Sequence, residues 1–289
     1  MNNILIVADP AEICVAIPRG LELAHKLGLG AEVVAFVYTP LKTLNVSASE
    51  QGRIKTRLLQ ERESVVRAHL TRHGAAEAGT GLKVIWEKNV EQWLLRECAS
   101  GRYVGLVKGV GGAPTVVHAS TDWQLLRKCN LPVLLVAKKR WHRTKPVLVT
   151  LDLGTRVRSK RALNEKVLGM ARQLADALEV ELKIVTVIEI PTLLSDLDLI
   201  DPLAYVRDAK AEMAPRIDKL ARQFGIPPEN FYCKHGPVEK VITSYAARVR
   251  AQIVVMGTVA RKGVKARLIG NTAERVLQHL KTDVLAIKP

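Results

Sequence analysis

The sequence predicts an α/β protein made of two tandem, doubly wound domains, each with a five-stranded parallel sheet flanked by helices. Apolar runs of strand length alternate with amphipathic helical stretches, which is typical of parallel sheets with helical crossovers. The two halves also carry the same landmarks in the same order, and the 289 residues amount to about twice the commonest domain size. We therefore expect a first domain at residues 1–139, a linker at 140–145 and a second domain at 146–289.

The internal repeat rests on three landmarks. The first strand of each half ends in an aspartate, in Ile4–Asp9 and in Val147–Asp152. Lys108-Gly109 matches Met256-Gly257 after the fourth strand of each half. Thr121 matches Thr272 at the start of the last helix, and apolar residues at helical spacing follow both. Three landmarks in one order indicate duplication.

The elements follow from hydrophobic periodicity, taken along the chain. The first half has apolar runs that predict strands near residues 4–8, 32–37, 82–86, 103–108 and 133–137. Amphipathic stretches between them predict helices near residues 12–27, 50–73, 90–100 and 121–128. The second half repeats the pattern, with strands near 147–151, 181–187, 231–234, 252–256 and 283–287. Its helices are predicted near 160–178, 203–224, 238–249 and 272–280.

Two of these elements show the reasoning most clearly. The helix at 160–178 rests on an apolar stripe with spacings of 4, 3, 4 and 4, formed by Leu163, Val167, Met170, Leu174 and Leu178. The strand Ile253–Met256 is apolar on both faces, as a sheet covered by helices on each side requires. The charged stretch Lys138–Lys145, which ends at Pro146, is a natural linker between the halves.

The charge is strongly basic and evenly spread. There are 44 Lys and Arg against 28 Asp and Glu, a net charge of +16. Residues 1–143 hold 20 basic and 12 acidic side chains and residues 144–289 hold 24 and 16, so each half carries +8. A positive field favours anionic ligands, but without a concentrated basic tail we do not expect a nucleic-acid partner. No apolar run approaches the ~20 residues of a membrane span, and no secretory signal pattern opens the chain, so we expect a cytoplasmic protein.

The cysteine, histidine and tryptophan residues show no spacing that predicts a metal site or a base-stacking site. The cysteines show no CxxC pair, which predicts structural thiols at Cys14, Cys98, Cys129 and Cys233. His69 and His73 are four residues apart on a predicted helix but lack a third ligand nearby. The tryptophans show no base-stacking pattern, which favours a packing role for Trp86, Trp93, Trp123 and Trp141.

The segment after the fourth strand of the second half is the best candidate for a ligand site. Ligands of doubly wound sheets bind beyond the carboxyl ends of the strands. Gly257 follows a strand and Gly270 precedes a helix, so backbone N–H groups and a positive helix end can meet an anion. Four cations lie between them, namely Arg261, Lys262, Lys265 and Arg267. No carboxylate occurs from Gly257 to Asn271, so we expect no catalytic residue here. A flexible basic loop before a capped helix is the alternative interpretation.

This segment resembles the universal stress protein family, whose nucleotide-binding branch carries Gly-x2-Gly-x9-Gly-(Ser/Thr) at this point of the fold. Gly257 and Gly270 stand at the first and third glycine positions, Ala260 replaces the second, and Asn271-Thr272 stands at the Ser/Thr position. Three segments are similar to the tandem branch of the family found in enteric bacteria, namely Thr121–Cys129, Ala162–Lys166 and Gly270–Glu274. Taken together, the resemblance covers nearly the whole chain. The resemblance implies the family's adenine-nucleotide alpha-hydrolase-like fold.

The resemblance also implies a nucleotide site in the second half. Asp152 would contact the adenosine end of an adenine nucleotide, and Val187 would supply backbone contacts to the adenine. The phosphates would meet Gly257, Thr258, Ala260, Gly270, Asn271 and Thr272. The implied ligand is ATP, bound together with Mg²⁺. The resemblance implies a ligand-binding protein that hydrolyses ATP weakly at most. Alanine tolerates positive φ poorly, so Ala260 keeps open the alternative of a nucleotide-free carrier for an apolar or anionic ligand.

The first half predicts a degenerate site. Asp9, Val37 and Gly109 match Asp152, Val187 and Gly257 and are the weaker candidates. The step from Gly109 to Ala119 is 10 residues against 13 from Gly257 to Gly270, and Asp122 in the following helix would repel a phosphate.

The last strand of each half suggests how the domains assemble. Val133–Ala137 and Val284–Ile287 would each be an open sheet edge in an isolated domain. We therefore expect the two domains to pair as an internal pseudo-dimer, and a homodimer is a further assembly that such edges allow.

Overall fold

The computed structural model describes residues 3–10, 14–75, 80–110, 120–138, 144–191, 193, 197–258 and 271–289. These residues form two compact units, one ending at residue 138 and the other starting at 144. Most of the predicted linker lies outside the described residues, so the domain boundaries stay a prediction. No helix in the described ranges combines the length and the apolar character that crossing a membrane requires.

The first unit is a parallel sheet with four helices. Its strands are β1 (Asn3–Val7), β2 (Gly30–Val37), β3 (Gly81–Trp86), β4 (Tyr103–Gly109) and β5 (Val133–Val136). Its helices are α1 (Ala16–Lys26), α2 (Ala48–Arg72), α3 (Val90–Cys98) and α4 (Ser120–Lys128). The strand order is β3-β2-β1-β4-β5 and every pairing is parallel. The chain therefore winds outward from β1 in one direction and then returns to β4 on its other side.

The second unit repeats this topology. Its strands are β6 (Val147–Thr150), β7 (Leu182–Ile188), β8 (Phe231–His235), β9 (Ile253–Gly257) and β10 (Asp283–Ile287). Its helices are α5 (Arg158–Leu178), α6 (Pro202–Phe224), α7 (Val238–Arg248) and α8 (Asn271–His279). The order β8-β7-β6-β9-β10, again all parallel, is that of the first unit. The predicted fold class and the duplication are confirmed.

The element bounds agree closely with the prediction, with two kinds of difference. Helix α1 begins at Ala16 instead of near residue 12, because the Asp9 carboxylate accepts the N–H groups of Val15 and Ala16 and fixes the first turn there. Two short 3-10 helices, Leu41–Thr43 and Pro228–Asn230, have no counterpart in the prediction, because a single turn is too short to show a periodicity.

The core lies on both faces of each sheet. Strand residues such as Leu5, Ile6, Val149 and Val254 are fully buried, as expected for parallel strands covered by helices. The stripe predicted on α5 faces the sheet through Leu163, Val167 and Leu174, which are buried, while Met170 and Leu178 at its margin are half-buried. At 25 cal/mol per Å², burying one such leucine stabilises the fold by about 2 kcal/mol.

The four cysteines lie at different depths in the protein. Cys14, Cys98 and Cys129 are buried and Cys233 is half-buried. A hydrogen bond with Cys129, together with burial, raises the pKa of Cys98, so this thiol stays protonated and unreactive. Among the described residues, no three or more His, Cys, Asp and Glu side chains come together in a group that could hold a metal ion.

The carboxylate of Glu32 makes the first unit lose stability as the pH becomes acidic. Its carboxylate, on β2, lies 2.6 Å from the Lys83 ammonium and accepts the Tyr103 hydroxyl at 2.8 Å. Burial would raise the pKa of Glu32, but the hydrogen bonds from Lys83 and Tyr103 outweigh it and hold the pKa below its ordinary 4.5. A depressed pKa contributes stability that is full above the unfolded value and is lost as the pH falls through the folded one.

We expect Glu32→Gln to be less stable than the parent at pH 7 and equally stable once the pH has fallen below the folded pKa of Glu32. Urea unfolding at pH 7, 5, 4 and 3 measures this difference, with the exposed Glu165→Gln as the control. A stability difference that is the same at every pH would contradict the proposed linkage.

Candidate functional site

The site predicted in the second unit lies where the strand order reverses. Strand β6 pairs with β7 on one side and β9 on the other, through Thr150 with Val185 and Thr150 with Met256. The carboxyl ends of β6 and β9 are therefore adjacent. Helix α8 connects β9 to the parallel β10, so it must start at this same edge of the sheet, at Asn271. An acidic residue, a glycine and a helix N-terminus thus meet at a topological switch point, the usual ligand position of such sheets.

Asp152 presents its carboxylate outward. Two contacts with Asn164 of α5 hold its backbone: the Asn164 amide donates to the Asp152 carbonyl at 2.7 Å, and the Asp152 N–H donates to Asn164 Oδ1 at 3.3 Å. The side chain is 55% exposed, and Lys160 Nζ lies 3.3 Å from its Oδ2. Because an exposed ion pair contributes little, the lysine can yield its place to a ligand.

Arginines clamp the loop after β6. Arg216 of α6 donates to the carbonyls of Thr155, at 2.8 Å, and Leu153, and Arg161 donates to Thr155 at 3.1 Å. The first unit uses the same device, since Arg62 of α2 donates to the carbonyls of Ala8 and Asp9. In both units, arginines thus hold the backbone of the loop that follows the first strand. Sequence reasoning missed Asn164, Lys160 and the three arginines, because polar residues on a charged helix face carry no local signal of such contacts.

Gly257 and Val187 flank Asp152 on the two neighbouring strands. Gly257 ends β9, and a Cβ there would stand 2.9 Å from Leu163 Cδ2, so the glycine lets α5 pack against the strand. Val187 is the penultimate residue of β7, half-buried and paired with Lys234 of β8. Both positions reach the carboxyl edge, as the resemblance implies.

Thr258 is placed differently from its neighbours. Its residue is 1% exposed, its N–H donates to the Ile287 carbonyl at 2.8 Å, and its hydroxyl is 3.4 Å from the same oxygen. The side chain therefore faces the protein interior at the end of β10 and is not brought to the surface. Ala260 and Gly270 lie outside the described residues, and Asn271 and Thr272 form the first turn of α8.

The corresponding place in the first unit is filled by the protein itself. Asp9 Oδ2 accepts the N–H of Val15 at 2.9 Å, so its carboxylate is turned to the N-terminus of α1. A Cβ on Gly109 would stand 2.1 Å from Asp9 Oδ1, so only glycine leaves room for this carboxylate. The backbone at the end of β4, which would have to meet a phosphate, is covered. Val37 ends β2 as predicted, without an open acid beside it.

A second internal carboxylate lies at the start of α4. Asp122 is fully buried and pairs with Lys108 of β4, whose Nζ is 2.8 Å away and which is 14% exposed. The aligned positions in the second unit are Met256 and Ala273, both buried and uncharged. Asp122 lies in the first helical turn, and its opposition to a phosphate stays a prediction. The two units thus have the same topology, but the first has a buried ion pair where the second has two uncharged residues.

A crevice adjoins the loop after β6. It has a volume of about 400 Å³ between α5 and α6. Its lining combines apolar groups with three cations and two carboxylates, including Leu153, Pro215, Leu220, Arg161, Arg216, Lys219, Glu165 and Glu212. The small excess of positive charge favours an anionic ligand with an apolar body.

Comparisons with known proteins agree with the fold. Residues 144–288 match the family model described as the universal stress protein family. Universal stress protein E of Salmonella typhi is 28% identical over 297 aligned positions, covering 100% of this chain and 94% of that protein. The homolog of that protein from Haemophilus influenzae is 25% identical, covering 100% of this chain and 97% of its own.

Solved structures share the full two-unit architecture. A universal stress protein structure from Pseudomonas aeruginosa UCBPP-PA14 is 23% identical with a TM-score of 0.73, covering 100% of this chain and 94% of that one. One from Archaeoglobus fulgidus is 19% identical with a TM-score of 0.65, covering 99% and 96%. At these identities the structures support the fold alone.

Proposed function

Because the chain belongs to the universal stress protein family, we propose that it is a stress-response factor that binds one ATP, with Mg²⁺ as companion, in its second unit. The observation that carries this proposal is the difference between two aligned aspartates. Hydrogen bonds hold the backbone of Asp152 and leave its carboxylate exposed. The carboxylate of Asp9 instead accepts a hydrogen bond at the N-terminus of α1. Among the described residues, the aspartate at the switch point therefore has an exposed carboxylate in the second unit and an occupied one in the first.

The proposed roles follow from the positions of the described residues and, for Ala260 and Gly270, from the family signature. The Asp152 carboxylate accepts hydrogen bonds from the adenosine end, and the backbone at Val187 borders the adenine. The family signature assigns the phosphates to Gly257, Ala260, Gly270, Asn271 and Thr272. The first N–H groups of a helix such as α8 have no partner within the helix and can bind an anion. An outward acid at one side and a helix N-terminus at the other suit a ligand that is polar at one end and anionic at the other.

Calorimetric titration with Mg²⁺ and ATP tests the proposal. We expect about one site per chain, and we expect Gly270→Val to lower the affinity more than tenfold, or about 1.4 kcal/mol. A β-branched side chain there blocks close approach of the backbone to a phosphate. The matched control is Ala119→Val, at the aligned position of the first half, which should leave the affinity unchanged.

Two results would contradict this proposal. Two ATP sites of equal affinity per chain would show that the switch point of the first unit also binds ATP, and unchanged affinity in a folded Gly270→Val protein would show that the phosphates lie elsewhere. Thermal melts of both variants confirm folding.

The crevice beside Leu153 favours a second candidate function. Its apolar side chains, with three cations against two carboxylates, suit a carrier of an apolar anion that binds no nucleotide. Mass spectrometry of small molecules that co-purify with the protein separates the two. Recovery of an adenine nucleotide supports the first function, and recovery of an amphiphilic acid supports the second.

A further inference from the structure

An exposed aromatic pair stands at the carboxyl edge of the first unit, away from the switch point. Tyr38 follows the last residue of β2, and Trp86 is the last residue of β3. Their ring centroids are 5.9 Å apart with an interplanar angle of 57°. Tyr38 is 45% exposed. Aromatic rings placed only for packing bury most of their surface, so an exposed ring at a ligand-binding edge calls for another explanation.

Two lysines lie over these rings. Lys88 Nζ is 6.0 Å from the Tyr38 centroid and Lys55 Nζ of α2 is 5.5 Å from the Trp86 centroid. Both lysines are exposed, and within the part of the chain that the structure describes neither forms an ion pair with a carboxylate. The rings attract the ammonium groups through their π faces. This edge of the first unit therefore presents flat aromatic surfaces next to two ammonium groups, neither of which is paired with a carboxylate of the described residues.

The other aromatic pair of this unit serves packing. Phe36 and Trp93 meet edge to face, with centroids 5.2 Å apart and an interplanar angle of 77°, and join β2 to α3. For Trp93 the sequence-based expectation of a packing role therefore fits the geometry. Trp86 instead has the exposed Tyr38 as its ring partner.

The duplicated unit shows that the fold does not require this pair. Val37 pairs with Trp86 in the first unit and the matching Val187 pairs with Lys234 in the second. The positions of Tyr38 and Trp86 are thus taken by Ile188 and Lys234. The same topology is built there without the two rings, so they are a property of the first unit alone.

We propose that Tyr38, Trp86, Lys55 and Lys88 form a binding site for a planar aromatic anion of the nucleobase-phosphate kind. A base stacks on the ring of Tyr38 or Trp86, and the lysine over that ring moves on its flexible stem to the phosphate. The net charge of +16 attracts such a ligand from a distance. The base comes either from a free nucleotide or from a single strand of nucleic acid. This site lies on other strands than the proposed ATP site and does not depend on it.

Fluorescence anisotropy with labelled octathymidylate, competed by unlabelled thymidine monophosphate, tests the site. Thymine probes keep it separate from an adenine-nucleotide site. We expect Tyr38→Ile and Lys88→Glu each to weaken binding of octathymidylate at least fivefold. Tyr38→Ile and the further variant Trp86→Lys introduce residues that the second unit carries at the matching positions, so both are compatible with the fold. Trp93→Phe is the matched control and should bind like the parent.

The outcomes are distinct. Competition by the monophosphate at a similar concentration supports a free nucleotide as the ligand, and binding of the oligomer alone supports a single strand. No binding by the parent, or equal binding by the parent and by Tyr38→Ile, would overturn the proposal. Gly270→Val should leave thymidylate binding unchanged, so failure of the ATP proposal and failure of this one are distinguishable.

Discussion

Replacing Lys108 by methionine should lower the free energy of unfolding of the first unit by about 3 kcal/mol. Asp122 is fully buried, and the Lys108 ammonium lies 2.8 Å from its carboxylate. Removing the cation takes from this buried carboxylate the ammonium group that lies against it, and losing one partner of a buried ion pair costs several times more than an exposed ion pair contributes. Urea unfolding followed by tryptophan fluorescence measures the effect, because Trp86, Trp93 and Trp123 all lie in this unit.

The second unit supplies the control for this variant. It carries Met256 and Ala273 at the two positions, both buried. We expect Lys108→Met combined with Asp122→Ala to recover stability to within about 1 kcal/mol of the parent, because an apolar pair replaces a buried charge pair at little cost. A single Lys108→Met variant as stable as the parent would show that the ion pair does not support the fold.

Replacing the two aligned aspartates should have opposite consequences. Asp152→Ala should weaken ATP binding at least tenfold, or about 1.4 kcal/mol, while changing the unfolding free energy by less than about 0.5 kcal/mol, because its carboxylate is exposed. Asp9→Ala should destabilise the protein by about 1–2 kcal/mol, because the N–H groups of Val15 and Ala16 lose their acceptor. Its ATP affinity should match that of the parent.

Calorimetry with ATP and urea unfolding of both variants measure the two effects. If Asp9→Ala lost affinity while Asp152→Ala kept it, the assignment of the open site to the second unit would be wrong. If both lost affinity equally, the two switch points would be equivalent ligand sites.

These contrasts show how much of the fold the sequence determined alone. Strand and helix positions came from the period of apolar residues, which is a local property, and the repeat tied Asp9 to Asp152 and Gly109 to Gly257. The switch point followed in turn from the parallel topology. The shorter loop after Gly109 and the acid at Asp122 already indicated that the first half lacks a phosphate site.

The tertiary structure decided the direction in which equivalent side chains point. Asp9 and Asp152 follow similar apolar strands, yet one carboxylate turns inward to α1 and Gly109 and the other outward. The partners responsible, such as Asn164 for Asp152, come from other elements. The pairing of Tyr38 with Trp86, 48 residues away, likewise depends on the alignment of two strand ends. A side chain forms hydrogen bonds and ring contacts with the groups that tertiary packing places within a few ångströms of it. Those distances cannot be deduced from the spacing of residues along the chain.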